Sequence, residues 1–250
     1  MMLVLSFAES WRFSPDKGLL AHSETRLIQR RVAMKNVSVP SQKSCALRNS
    51  NLLRESLKQE TQQQHRALEN TLDLLRPDFT LFDYGTLLTK FYSFHVVFDN
   101  IMQRHKKNNV IPAEFYCVDR MKHEWLLEDL SALAITPAPT SGSAAECLAS
   151  ELTSAEHLWG AIYVIEGSTL GGTLLSKHFE KKFGINTDTG LHFFTGYGQH
   201  TGKNWQLTVD RLRDCETQKM SSEAIVHGAK RTFQLLEAHL QNAIKETVNT

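Results

Sequence analysis

The chain has 250 residues, with 28 Lys or Arg against 27 Asp or Glu and a formal net charge of +1. That balance argues against general polyanion binding, so no nucleic-acid partner is expected. No apolar run reaches the ~18 residues that read as a membrane span, so no membrane role is expected either.

Cysteine usage narrows the class further. Cys45, Cys117, Cys147 and Cys215 lie far apart, with no CxxC and no Cys/His cluster at metal-binding spacing. This argues for a reducing, cytoplasmic setting and against a disulfide framework or a zinc site.

In chain order, residues 1–48 come first. They carry eight basic and three acidic side chains, a net of +5, whereas the remainder carries −4. The stretch has no sustained apolar period and contains Pro15, Pro40 and scattered serines. Its opening "MMLVLSFAESW" is apolar but lacks a charged leading region and a small-residue cleavage site. Glu9, Asp16 and Glu24 are unusual for an organelle presequence. Residues 1–48 therefore read as a poorly structured extension, Met34 as a plausible true start, and residues 49–250 as one domain. Deleting residues 1–33 is expected to leave melting temperature, ligand affinity and turnover unchanged. A large drop in any of the three would show that the extension packs on the domain.

From residue 50 the pattern is helical throughout. "SNLLRESLKQETQQQHRALENTLDLL" puts Leu53, Leu57, Leu68 and Leu72 on one stripe, with Ser50 as cap and Pro77 as stop. "LFDYGTLLTKFYSFHVVFDNIMQRHKK" predicts a second, long helix, and "DRMKHEWLLEDLSALAI" a third that ends near Pro137 and Pro139. "SAAECLASELTSAEHLWGAIYVIEGSTLGGTLLSKHFEKKFG" predicts a short helix and then a long one, broken or bent near its glycines. "GKNWQLTVDRLRD" and "SSEAIVHGAKRTFQLLEAHLQNAIKETV" complete the set. No segment alternates convincingly as a strand. The expected class is all-α, six to eight helices in one bundle-like domain.

Two features suggest chemistry. His65 sits on the apolar side of the first helix, with Lys58 seven residues earlier, about two turns up the same face. Unaided, the plainer reading is a core histidine and a solvated lysine. His95, inside "FYSFHVVFD", is equally suitable, and with eleven histidines periodicity does not choose. The second feature is Gly167, Gly171 and Gly172 within six residues of a helical run. Each mid-helix glycine costs roughly 0.5–1 kcal/mol against alanine. Gly167 and Gly171, at i and i+4, open one helix face. Close helix–helix packing through small residues explains this as well as a flat ligand lying against bare backbone does.

Three stretches in order resemble the heme oxygenases over about residues 50–245, most closely the bacterial kind associated with phytochrome photoreceptors. "LKQETQQQHRALE" resembles the proximal helix, and the iron-ligating histidine falls on His65. "YVIEGSTLGGTLL" resembles the bacterial distal helix, whose two glycines fall on Gly167 and Gly171. "GLHFFTGYG" resembles the segment that follows, and "AKRTFQLLEAHL" the last helix.

The resemblance implies a heme oxygenase-like bundle with heme b between a proximal and a kinked distal helix. It implies O2- and electron-driven cleavage of heme, both cofactor and substrate, to biliverdin, carbon monoxide and ferrous iron. It implies that His65 is the axial iron ligand, that Gly167 and Gly171 make room over the ring, and that Lys58 meets a propionate. Lys203, Arg211 and Tyr163 are further candidates for propionate contact. Mammalian members have an aspartate just after the first distal glycine, whereas this chain has Ser168. The phytochrome-associated enzymes also carry a serine there. A hydroxyl holds a water but does not take a proton at neutral pH as a carboxylate does. Glu166, about 100° away on the helix, is a weak relay candidate.

Implied partners are heme, O2, an electron donor such as a ferredoxin or flavoprotein reductase, and a bacterial phytochrome as biliverdin acceptor. Lys177, Lys181 and Lys182 form a basic cluster for an acidic donor, though a helix end favours cations in any case. Two other readings stand beside this one. One is a non-catalytic heme-binding or heme-sensing protein of the same fold. The other is a thiaminase-like hydrolase relative, which needs an activated cysteine in its pocket.

Overall fold

The computed structural model describes residues 52–112, 115–137 and 143–247. The expectations about the N-terminal extension and the Ser50 cap lie outside those residues. The described chain folds as α1 (Leu52–Glu60), α2 (Gln62–Leu72), α3 (Leu81–Lys107), α4 (Lys122–Ala132), α5 (Ser143–Glu151), α6 (Ala155–Phe183), α7 (His192–Thr195), α8 (Thr201–Thr217) and α9 (Ser222–Thr247). Short 3-10 turns fall at Val118–Arg120, Thr187–Thr189 and Gly198–His200, and no strand occurs among the described residues. The all-α expectation holds.

The first predicted helix is two. Thr61 separates α1 from α2 with φ −99° and ψ 0°. Its buried hydroxyl donates to the Leu57 carbonyl at 2.7 Å, the kind of back-bonding that bends a helix. Backbone bonds still run through it, from Thr61 N to Leu57 O and from His65 N to Thr61 O, both at 3.0 Å. The helix therefore turns without ending. The stripe is as predicted for Leu53, Leu57 and Leu72, which are buried, while Leu68 is half-buried. Pro77 is not the stop. Asp73 closes α2 in the left-handed region at φ 37°, well before the proline. Likewise α4 ends at Ala132, with Ala134 left-handed at φ 57°, before Pro137 is reached.

The long helices meet through close backbone contacts. α9 crosses α6 where a Cβ on Gly160 would lie 2.1 Å from the Ile225 carbonyl, and one on Gly228 2.5 Å from the His157 Cα. α2 also packs on α9, with Thr71 donating to Glu237 at 2.9 Å. α2 and α6 do not pack extensively against each other. α3 is started by a Thr80–Asp83 capping box. It runs beneath an aromatic layer in which Tyr84 meets Phe179, Phe183 and Phe194. α4 positions the segment after α6. Asp129 accepts from the backbone N–H of His192 at 2.6 Å and of Phe193 at 2.8 Å.

His95 is a core histidine. It is 3% exposed and ringed by Phe91, Phe94, Phe98 and Phe193. Burial pushes its pKa down to about 4, against an opposing pull from Asp99. The folded chain thus binds fewer protons there than the unfolded chain between pH 6.5 and about 4, so stability falls as pH drops through that window. Asp129, raised to about 6 by burial, acts in the opposite direction. We therefore expect His95→Phe to show a smaller loss of stability between pH 7 and pH 5 than the parent, by about 2 kcal/mol. Chemical denaturation at the two pH values reads the difference. Equal losses in both chains would mean that His95 titrates normally.

Candidate active site

His65 lies on α2, one turn beyond the bend at Thr61. Its ring is half-buried and edge-on to Phe233 of α9, with centroids 5.7 Å apart. Nδ1 sits 3.5 Å from the Glu69 carboxylate, the i+4 neighbour. A carboxylate beside one ring nitrogen orients the imidazole and leaves Nε2 available. No cluster of three or more metal-ligating side chains occurs among the described residues.

α6 sorts its glycines by face. Its α-helical structure runs unbroken from Ala155 to Phe183, so any bend the glycines permit lies within a continuous helix. Gly160 is the contact with α9 already described. Gly172 is a second packing glycine, because a Cβ there would lie 2.9 Å from the Phe194 carbonyl. Gly167 and Gly171 are buried as well. They form an i+4 row with Tyr163, so one edge of α6 reads phenol, bare backbone, bare backbone. Close helix packing thus accounts for Gly160 and Gly172.

Tyr163 connects that row to α1 and α2. The side chain is 1% exposed and its ring meets Trp205 of α8, with centroids 5.7 Å apart. Burial raises its pKa, opposed by the Arg54 charge and by the nearby Thr61 hydroxyl. Arg54, Lys58, Thr61 and His65 recur at i, i+4, i+7 and i+11, one face of the bent α1–α2 pair. Tyr163 thus stands against the face that carries Lys58 and His65. Lys58 is half-buried there. Lys203 is exposed in the first turn of α8, the end of that helix nearest Trp205. Arg211 is not brought to this group. It pairs with Asp214 at 3.1 Å and lines a cleft with Trp159 and Ala155. Ala155 begins α6, about three turns before Gly167.

Ser168 is exposed and donates its hydroxyl to the Ile165 carbonyl at 2.8 Å. Glu166 points elsewhere, into a buried group that the sequence reading missed. Its carboxylate meets Arg120 at 2.7 Å and Lys122 at 2.8 Å, and Tyr197 donates to it at 2.9 Å. The only local signal was an acid following the apolar run Trp159–Ile165. Its partners are more than thirty residues away in sequence, beyond any periodicity. In the basic cluster, Lys182 is committed to the fold, donating to the carbonyls of Arg76 and Pro77 at 3.0 and 3.1 Å. Lys177 and Lys181 remain exposed. Cys215 is buried with its thiol pushed up to about 12, the reverse of an activated nucleophile.

The profile described as heme oxygenase covers residues 51–242. The chain belongs to the heme oxygenase family. No curated protein gives a sequence match. Among solved structures, the chain is similar to a Neisseria meningitidis heme oxygenase solved with NO and CO bound, at 22% identity and a TM-score of 0.61, covering 77% of this chain and 92% of that one. It is similar to the Leptospira interrogans heme oxygenase at 20% identity and a TM-score of 0.62, covering 76% and 98%. It is also similar to heme oxygenase 2 of Chlamydomonas reinhardtii, solved without heme, at 16% identity and a TM-score of 0.63, covering 75% and 95%. At these identities the likeness shows the fold, and the profile match shows the family.

Proposed function

We propose that this member of the family degrades heme b, opening the ring to biliverdin, carbon monoxide and ferrous iron with O2 and an external electron donor. The observation that carries the reading is the pairing of a carboxylate-oriented imidazole on α2 with the row Tyr163, Gly167, Gly171 on α6. When bound, heme supplies the redox-active iron and the macrocycle that is consumed.

The chain's own residues do the rest. His65 presents Nε2 to the iron while Glu69 holds the other ring nitrogen. Gly167 and Gly171 would present bare backbone to the bound group, with no Cβ atoms to take up the space needed by oxygen. Lys58 and Tyr163 hold the propionate edge, with Lys203 as the outer candidate. Charge-assisted bonds there would hold the propionates, and so the bound group, in one orientation. Arg211 does not belong with them. Ser168 holds distal water. A serine at that position is also the feature that favours the phytochrome-associated subtype, with a bacterial phytochrome as acceptor of the product. Exposed Lys177 and Lys181 offer an acidic ferredoxin or flavoprotein a place to dock. We place the reaction in the cytoplasm, where the cysteines stay reduced.

The test is direct. Purified chain is mixed with hemin and a reductant in air. Loss of the Soret band with growth of biliverdin absorbance is the expected result. A stable heme spectrum with no bile pigment would favour the non-catalytic heme-binding reading.

A further inference from the structure

Beside the first glycine of the proposed heme face lies a buried group whose charges do not cancel. Arg120, Lys122 and Glu166 have side chains only 4%, 2% and 4% exposed. Two cations meet one carboxylate. The remaining contacts are neutral. Arg120 donates to the Asn204 side-chain oxygen at 3.2 Å, and its guanidinium lies 4.3 Å from the Phe115 ring centre. Lys122 donates to the Tyr197 hydroxyl at 2.8 Å and to the Arg120 carbonyl at 3.3 Å, and its ammonium lies 4.8 Å from the Trp125 ring. Tyr197 stays a phenol, because burial and the Glu166 charge raise its pKa. Asp99, another buried carboxylate, has partners of its own. His123 Nδ1 lies 2.7 Å away, and the hydrogen bond to Asp99 raises the His123 pKa. The Arg120–Lys122–Glu166 group therefore holds a net charge of +1 out of water.

A bare structural brace would not need the second cation. One cation against Glu166 satisfies the carboxylate, and burying another unpaired charge is expensive. What the second cation does is place a positive field beside Gly167, the next residue along α6. We infer that Arg120, Lys122 and Glu166 are positioning residues whose uncancelled positive charge favours anionic ligands on the oxygen side of bound heme. The inference rests on the heme site proposed above. Glu166 fixes both cations and tunes the field, rather than carrying protons. Because the group is buried, salt screens it little.

The experiment uses the full chain loaded with ferric hemin and titrates two probes, azide as the anion and imidazole as the neutral ligand. Lys122→Met leaves a neutral Arg120–Glu166 pair, and azide affinity should fall on the order of ten-fold, the size of effect one nearby charge has through an effective dielectric of ~20. Glu166→Gln leaves two cations, and azide affinity should rise by about the same factor. Tyr197→Phe removes a hydroxyl but no charge and should move neither probe. Imidazole affinity should stay within about two-fold throughout, since a neutral ligand does not feel the field to first order. Circular dichroism and apo melting temperature accompany each variant. If Glu166→Gln fails to fold, Lys122→Met decides alone. Azide and imidazole moving together, or azide not moving, would overturn the inference and leave the group a brace. Absence of a His65-dependent Soret band in the parent chain would overturn the heme reading itself, and the inference with it.

Discussion

His65→Ala is expected to fold, to take up hemin weakly and to make no biliverdin. Added imidazole should restore part of the turnover. The fold survives because the ring is about a quarter exposed and meets Phe233 edge-on rather than filling the core. Losing such a contact costs about 1 kcal/mol, a small part of the stability of a domain this size. The chemistry fails because nothing else on α2 ligates iron. Free imidazole enters the vacated space, though without the orienting carboxylate of Glu69 at its fixed distance. Heme degradation at the parent rate without imidazole would refute the ligand assignment. His95 would be a poor substitute, since four phenyl rings enclose it.

Two neighbouring glycines separate packing from chemistry. Gly172→Ala puts a Cβ 2.9 Å from the Phe194 carbonyl, a backbone atom fixed through Asp129. The segment must shift, and we expect a loss of roughly 1–3 kcal/mol in the apo protein. Gly171→Leu belongs to the other row. Leucine is the better helix former by roughly 0.5–1 kcal/mol, so the apo protein should not suffer on propensity grounds. On the proposed site the isobutyl group fills the oxygen side. Hemin should still bind through His65, while biliverdin yield falls on the order of a hundred-fold, as misplacing a reacting group by ~1 Å does. Apo melting temperature and biliverdin yield, measured together on both variants, read the contrast. A destabilised Gly171→Leu whose folded fraction still makes biliverdin at the parent rate would mean that Gly171 is also only a packing glycine.

The sequence by itself determined most of the helices and the family, and it nominated the candidate site residues. Apolar stripes at 3.6-residue spacing specify α3, α6 and α9, because that periodicity is local and each stripe must be buried somewhere. His65 and the paired glycines were legible because their chemistry depends on residue type at i, i+4 and i+7 positions of single helices. Helix ends were less so. Prolines marked the ends of α2 and α4, but left-handed residues, Asp73 and Ala134, close them earlier. A termination of that kind is a backbone choice that nonglycine letters do not announce. Only the tertiary structure sorted the glycines, because Gly171 and Gly172 differ solely in which neighbour faces them. It also removed Arg211 from the propionate group, since a helix's register against another is set by long-range packing. It alone assembled Arg120, Lys122 and Tyr197 around Glu166. Those residues are brought together by the packing of separate elements, and no local pattern records which buried charge will meet which.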